Sequence, residues 1–189
     1  MAKLIPFRWL PGSWGLTGKS FDEAEARYSL EGIDLELRLA EITHGDDAVA
    51  LTKAQADIQK THGLLDDYSW MRAHILAETS TDVKTQEVEL IKLDIEFGRM
   101  EKRDGEKKIA NLLDEPWVGI VEEGLDPAQG PNGFYFAFDW NDAWVRLLRE
   151  SGYEGESEDE LMERWFTDVC RNEVLNSAPI PFNSSVVYD

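Results

Sequence analysis

Only two short runs of this chain alternate as β-strands do, and the other patterned stretches carry a helical period. Residues 116–121 read Pro-Trp-Val-Gly-Ile-Val. Residues 133–138 read Gly-Phe-Tyr-Phe-Ala-Phe and put Phe134, Phe136 and Phe138 on one face. Two strands make one antiparallel hairpin, with the Gly-, Pro-, Asp- and Asn-containing residues 122–132 as its loop. They are too few for the parallel sheets of nucleotide-hydrolysing folds. An isolated hairpin is marginal in water, so its Phe face has to pack on helices or pair with another chain. The predicted class is mostly α (α+β), a helical domain with one β-hairpin.

Helical signals fill much of the remainder. Ser20-Phe-Asp-Glu23 reads as a capping box, with Ser20 at the N-cap and Glu23 at N3. Through residues 21–42, Ala24, Tyr28, Leu35, Leu39 and Ile42 recur near helical spacing, and Gly32 marks a break. His44-Gly-Asp-Asp47 ends that element and caps the next. Residues 47–77 read as helix in two pieces hinged at Gly63, followed by a turn at 78–82. Over 83–100, Leu90, Leu93, Phe97 and Met100 repeat at i, i+3, i+7 and i+10, the strongest long-helix signal here. Lys102, Arg103, Lys107 and Lys108 gather around Gly105 and suit a helix C-terminus, where cations complement the macrodipole. Asn141 caps a short helix that Gly152 closes, and Ser157-Glu-Asp-Glu160 is a second capping box. Behind it, Leu161/Met162, Trp165/Phe166 and Val169/Cys170 stack as a broad apolar stripe, which makes Cys170 a small core residue.

The ends differ from this body. Residues 1–19 carry Lys3, Arg8 and Lys19 without an acid, together with Trp9 and Trp14. Pro6 and Pro11 forbid a regular helix there, and the aromatic content is too high for a solvated tail. The segment reads as an extended basic, aromatic N-terminal arm. Residues 177–189, with two prolines, Phe182 and Tyr188, read as an extended C-terminal arm. Residues 20–176 between them read as a single mainly helical domain with its hairpin near 116–138.

Charge narrows the functions. The 189 residues include 19 Lys+Arg and 38 Asp+Glu, a net charge of −19. Residues 1–20 hold +3 of this and the rest −22. Phosphate binding needs clustered cations, so direct nucleic-acid contact is not expected. Glu150, Glu154, Glu156, Glu158, Asp159, Glu160 and Glu163 concentrate the acidity. Part of that cluster complements a helix N-terminus, and the rest suits a basic partner. Cys170 is the only cysteine, which excludes an intramolecular disulfide and a Cys-based zinc site. No apolar run approaches the ~20 residues of a membrane span. The start lacks a secretory h-region, so a soluble intracellular protein is expected.

Chemical motifs are few. Gly15-Leu-Thr-Gly18-Lys19-Ser20 ends like a phosphate-binding loop, but that pattern needs glycine where Ser13 stands. His62 lies four residues from Asp66 and His74 four from Glu78, ligand-like spacings on a helix, but neither pair forms a complete metal signature, and His62 with Asp66 and Asp67 is the candidate grouping. No nucleophile elbow or Ser-His-Asp order occurs. The expectation is a non-enzyme, without catalytic residues, metal or cofactor.

Residues 5–20, the motif Phe138-Asp-Trp-Asn-Asp142, Gly152-Tyr153 and Trp165-Phe-Thr-Asp-Val-Cys-Arg-Asn172 resemble small uncharacterised proteins of large tailed bacteriophages. The resemblance implies a phage origin and a role in the particle or its assembly, in the virion or the host cytoplasm. It brings no catalytic residue. The leading expectation is a structural or assembly protein that docks through its arms to itself, as a homo-oligomer, or to neighbouring virion subunits. Phe7, Arg8, Trp9, Trp14, Phe182 and Tyr188 are the candidate partner-binding residues, because Trp and Arg concentrate interface energy. The alternative is an acidic inhibitor or DNA-charge mimic that binds a host nucleic-acid-binding protein.

Overall fold

The computed structural model describes residues 5–125, 128 and 133–176, and of Phe134 and residues 173–176 the backbone alone. Among these residues the protein is mostly helical, with eight α-helices and one two-stranded sheet. Packing divides the chain at Gly105/Glu106 into two compact units.

The first unit begins with two 3₁₀ turns, Phe7–Trp9 and Pro11–Ser13. Pro6 precedes the first and Pro11 opens the second, where a missing N–H costs nothing. The described part of the expected extended arm is thus coiled into short turns. Five helices follow, α1 (Lys19–Ser29), α2 (Gly32–His44), α3 (Ala48–Thr61), α4 (Asp67–Glu78) and α5 (Val83–Glu96), each packed on its neighbours in sequence. The breaks expected at Gly32 and Gly63 and the turn after Glu78 are present. Asp47, Asp66 and Asp82 cap α3, α4 and α5 by accepting from first-turn amides at 2.7–3.1 Å. The hydroxyl–amide geometry expected at Ser20 is absent. The α1 helix starts at Lys19 with Gly18 at the N-cap, and the Gly18 carbonyl accepts from Phe21 and Asp22. A glycine at φ 57° turns the chain into the helix by backbone alone.

Buried positions of α1–α4 are Ala26, Ala40, Ala56 and Ala77, so these helices meet over small residues. In α5, Val88, Ile91 and Leu93 go inside.

The α6 helix (Lys102–Leu113) spans the division between the units. The basic cluster therefore lies within the first seven residues of a helix and not at a C-terminus. The α5 helix already ends at Glu96, and the Asp94 carbonyl accepts from Arg99 and Met100 before the chain re-enters helix. Gly105 is no break. It is buried within α6, and a Cβ there would lie 2.7 Å from Ile95 Cγ1 and 3.3 Å from Met100 Sδ. Glycine permits this close approach.

The second unit continues with β1 (Val118–Leu125), β2 (Phe134–Trp140), α7 (Asp142–Glu150) and α8 (Glu158–Asn176). The strands form the expected antiparallel hairpin, in register from Val118↔Trp140 to Leu125↔Phe134, with an irregularity between Ile120 and Glu122 that leaves Val121 unpaired. Val145, Leu148, Leu161 and Met162 form the buried centre, and Phe138, Trp140, Trp144 and Trp165 pack around it. Asn141 ties the parts together. Its Oδ1 accepts from Trp144 N, capping α7, and from Trp117 N ahead of β1, while Nδ2 donates to the Glu115 carbonyl at 2.8 Å.

Candidate functional site

Two surfaces combine aromatic groups with solvent exposure, one in each unit. In the first unit the arm is fixed at its root. The Phe7 ring lies 5.5 Å from those of Phe21 and Tyr28 on α1, and the Arg8 guanidinium lies 5.7 Å from the Phe21 ring centre. Tyr28 donates its hydroxyl to the Ile5 carbonyl at 3.0 Å. Ser13 is buried and donates to the Leu10 carbonyl at 2.8 Å, which locks the second turn. Trp9 and Trp14 point the other way, 76% and 74% exposed. Of the candidate partner-binding residues, Phe7 is thus brought onto the body, Arg8 lies over Phe21 but stays exposed, and Trp9 and Trp14 are presented to solvent. Phe182 and Tyr188 lie outside the described residues.

In the second unit, the Phe136, Phe138 and Phe166 rings lie 4.9–6.4 Å apart. With Met162 they floor an open groove of about 380 Å³ whose rim includes Asp159 and Glu163. The alternating phenylalanines and the stripe behind the second capping box were the sequence signals for this packing. The groove lies beside residues 159–166 of α8, and the stripe runs on past it. Leu161 is 1% exposed, but Val169 is 38% exposed. Cys170 is exposed as well, and not in the core as its place on the stripe implied. The stripe outlasts the surface that covers it.

The acidic cluster is partly spent on structure. Ser157 Oγ accepts from Glu160 N at 3.2 Å, and the Glu160 carboxylate accepts from Glu156 N at 2.7 Å, so the second capping box forms in modified pairing. The Glu156 amide, first, and then Arg164 hold the Glu160 carboxyl below its usual range. Glu158 accepts from the Trp140 indole at 3.1 Å. Asp159 and Glu163 remain exposed.

The His62 grouping is not assembled. His62 Nε2 pairs with Glu36 on α2 at 3.1 Å, Asp66 caps α4, and Asp67 pairs with Lys60. Among the described residues no three His, Cys, Asp or Glu side chains are placed to hold a metal ion. No described helix is long and apolar enough to cross a membrane. Neither family models nor curated proteins nor solved structures gave a match to the chain.

Proposed function

We propose that the protein is a non-enzymatic structural or assembly protein that docks to other protein subunits through its N-terminal arm. The carrying observation is the division of labour within that arm. Phe7 anchors it to α1, while Trp9 and Trp14 stand largely in solvent a few residues away. Interface residues whose truncation costs about 2 kcal/mol or more are enriched in Trp. Two exposed indoles on a root that is already ordered lower the entropy cost of docking. The resemblance to small phage proteins makes a virion subunit or an assembly factor the corresponding context. An acidic mimic of nucleic acid is the weaker reading, because Glu158 and Glu160 of its key cluster hold Trp140 and the start of α8.

The test is sedimentation of the full chain beside the Trp9→Ala/Trp14→Ala variant. The variant should keep its helical melt and lose association. A variant that melts earlier instead makes the indoles part of the fold, and the reading fails. Protein mass spectrometry of purified particles, where the source is a phage, then separates virion subunit from assembly factor.

A further inference from the structure

We propose that the groove between β2 and α8 receives the N-terminal arm of a second copy of this chain, with an arm indole over Phe136, Phe138 and Phe166 and Arg8 facing Asp159 and Glu163. This deepens the docking role proposed above and rests on it.

The groove requires a cover. Phe136 is 40% exposed although it stacks on Phe138 and meets Phe166 edge-on. The apolar line of α8 continues past Phe166 to exposed Val169. Contiguous apolar surface framed by polar groups marks an interaction site.

Charge selects the occupant. The rim carboxylates of Asp159 and Glu163 are exposed, so two grooves facing each other would set like charges together. The occupant must be apolar, aromatic and basic. Residues 5–18 of this chain combine Trp9 and Trp14 with Arg8 and contain no acid, while Lys19, which opens α1, lies 3.8 Å from Asp46. The other basic stretch, residues 99–108, is interrupted by Glu101, Asp104 and Glu106, and its Lys107 is paired with Asp139 at 2.6 Å. Of these two basic stretches, the arm has the matching chemistry. Arm-to-groove contact closes a two-fold dimer where two copies exchange arms, and builds rings or filaments where each arm is passed on to a further copy.

The experiment mixes two full-length variants, Arg8→Glu and Asp159→Lys/Glu163→Lys, and follows association by sedimentation. These positions are exposed, and circular dichroism checks that the fold is kept. Each variant alone opposes like charges at the contact and should associate roughly tenfold more weakly than the unaltered chain. Mixed, the acidic arm meets the basic groove and the unaltered arm meets the unaltered groove, so association should return. An arm lying in its own groove, or a groove filled by residues 177–189, gives no recovery on mixing and overturns the proposal. If Trp9→Ala/Trp14→Ala abolishes association while Asp159→Lys/Glu163→Lys does not, the arm docks elsewhere. The docking role then stands and this seat is wrong. If none of these variants changes association, both readings fall.

Discussion

Trp70 on α4 donates its indole N–H to Asp57 Oδ1 on α3 at 2.7 Å. The same oxygen lies 2.9 Å from His74 Nε2, one helical turn further along α4. A carboxylate only accepts, so Nε2 carries the proton. Lys60–Asp67 and Lys53–Glu78 flank this contact as ion pairs between the same two helices. The three rungs set the register of α3 on α4, which small Ala contacts by themselves leave loosely specified.

The Asp57 rung predicts acid sensitivity of the first unit. The Trp70 bond, first, and then His74 hold the Asp57 carboxyl below its usual range, against a partial desolvation that raises it. A depressed carboxylate stabilises the fold fully above its unfolded value and loses that contribution as pH falls through the folded value. Unfolding of the first unit should therefore become easier below about pH 4, the ordinary carboxylate range. Asp57→Ala should cost about 1 kcal/mol at neutral pH, since the group is half-exposed and solvent screens it. Part of the acid dependence should vanish with it. Amide exchange in α3 and α4, at neutral and acid pH, checks both. Equal acid sensitivity in the variant would assign the effect to other carboxylates.

Asn141 makes the sharper prediction for the second unit. It is 5% exposed and satisfies Trp117 N, Trp144 N and the Glu115 carbonyl at once. Asn141→Ala removes a helix cap and leaves buried backbone groups without partners, an expected loss of about 2–4 kcal/mol. Asn141→Asp keeps the acceptor but loses the donor to Glu115 and buries a charge, so it should recover only part of the loss. Urea unfolding, with amide exchange to localise the change to β1 and α7, measures it. A loss below about 1 kcal/mol would mean that water replaces these bonds.

The caps at Asn141 and Asp47 were legible in the sequence, because an Asx side chain before an apolar period has one good local use, whereas Asp82 read only as part of a turn. So were the hairpin and the breaks at Gly32 and Gly63, which follow from short-range periods and turn chemistry. What the sequence hid was set by distant neighbours. Ser20 reads as a cap until Gly18 is seen to start the helix two residues earlier. Gly105 and its basic neighbours read as a helix C-terminus until Ile95 is found against the glycine inside α6. Cys170 reads as core because periodicity reports which side of a helix is apolar, and not how far along it a covering element extends. The groove was not visible either, because it depends on how β2 and α8 are placed side by side.

Gly32 offers a backbone test. It opens α2 at φ 60°, with no atom within 4 Å of where a Cβ would stand. Gly32→Ala thus meets no steric neighbour and suffers conformational strain alone, about 1–2 kcal/mol. Gly32→Asn should cost less, since Asn tolerates this region. Thermal melts of the three proteins give the ranking. Ala equal to Gly would mean that the chain straightens here and joins α1 to α2.

The last prediction concerns the hairpin at alkaline pH. Tyr135 on β2 donates its hydroxyl to Glu122 Oε1 on β1 at 2.8 Å. That bond, and then the carboxylate's charge, raise the phenol above its usual value of 10.0. A raised acid favours the folded state below the unfolded value, and the contribution disappears as pH rises through the folded value. The pairing therefore supports the hairpin at neutral pH and fails in alkali. In an ultraviolet titration one of the five tyrosines should ionise late. Glu122→Gln should bring it back toward the others, and Tyr135→Phe should remove it from the curve. Added salt should weaken the shift only in part, because screening acts on the charge and leaves the hydrogen bond. A shift that vanishes completely in salt would show that the two side chains are near each other but not bonded.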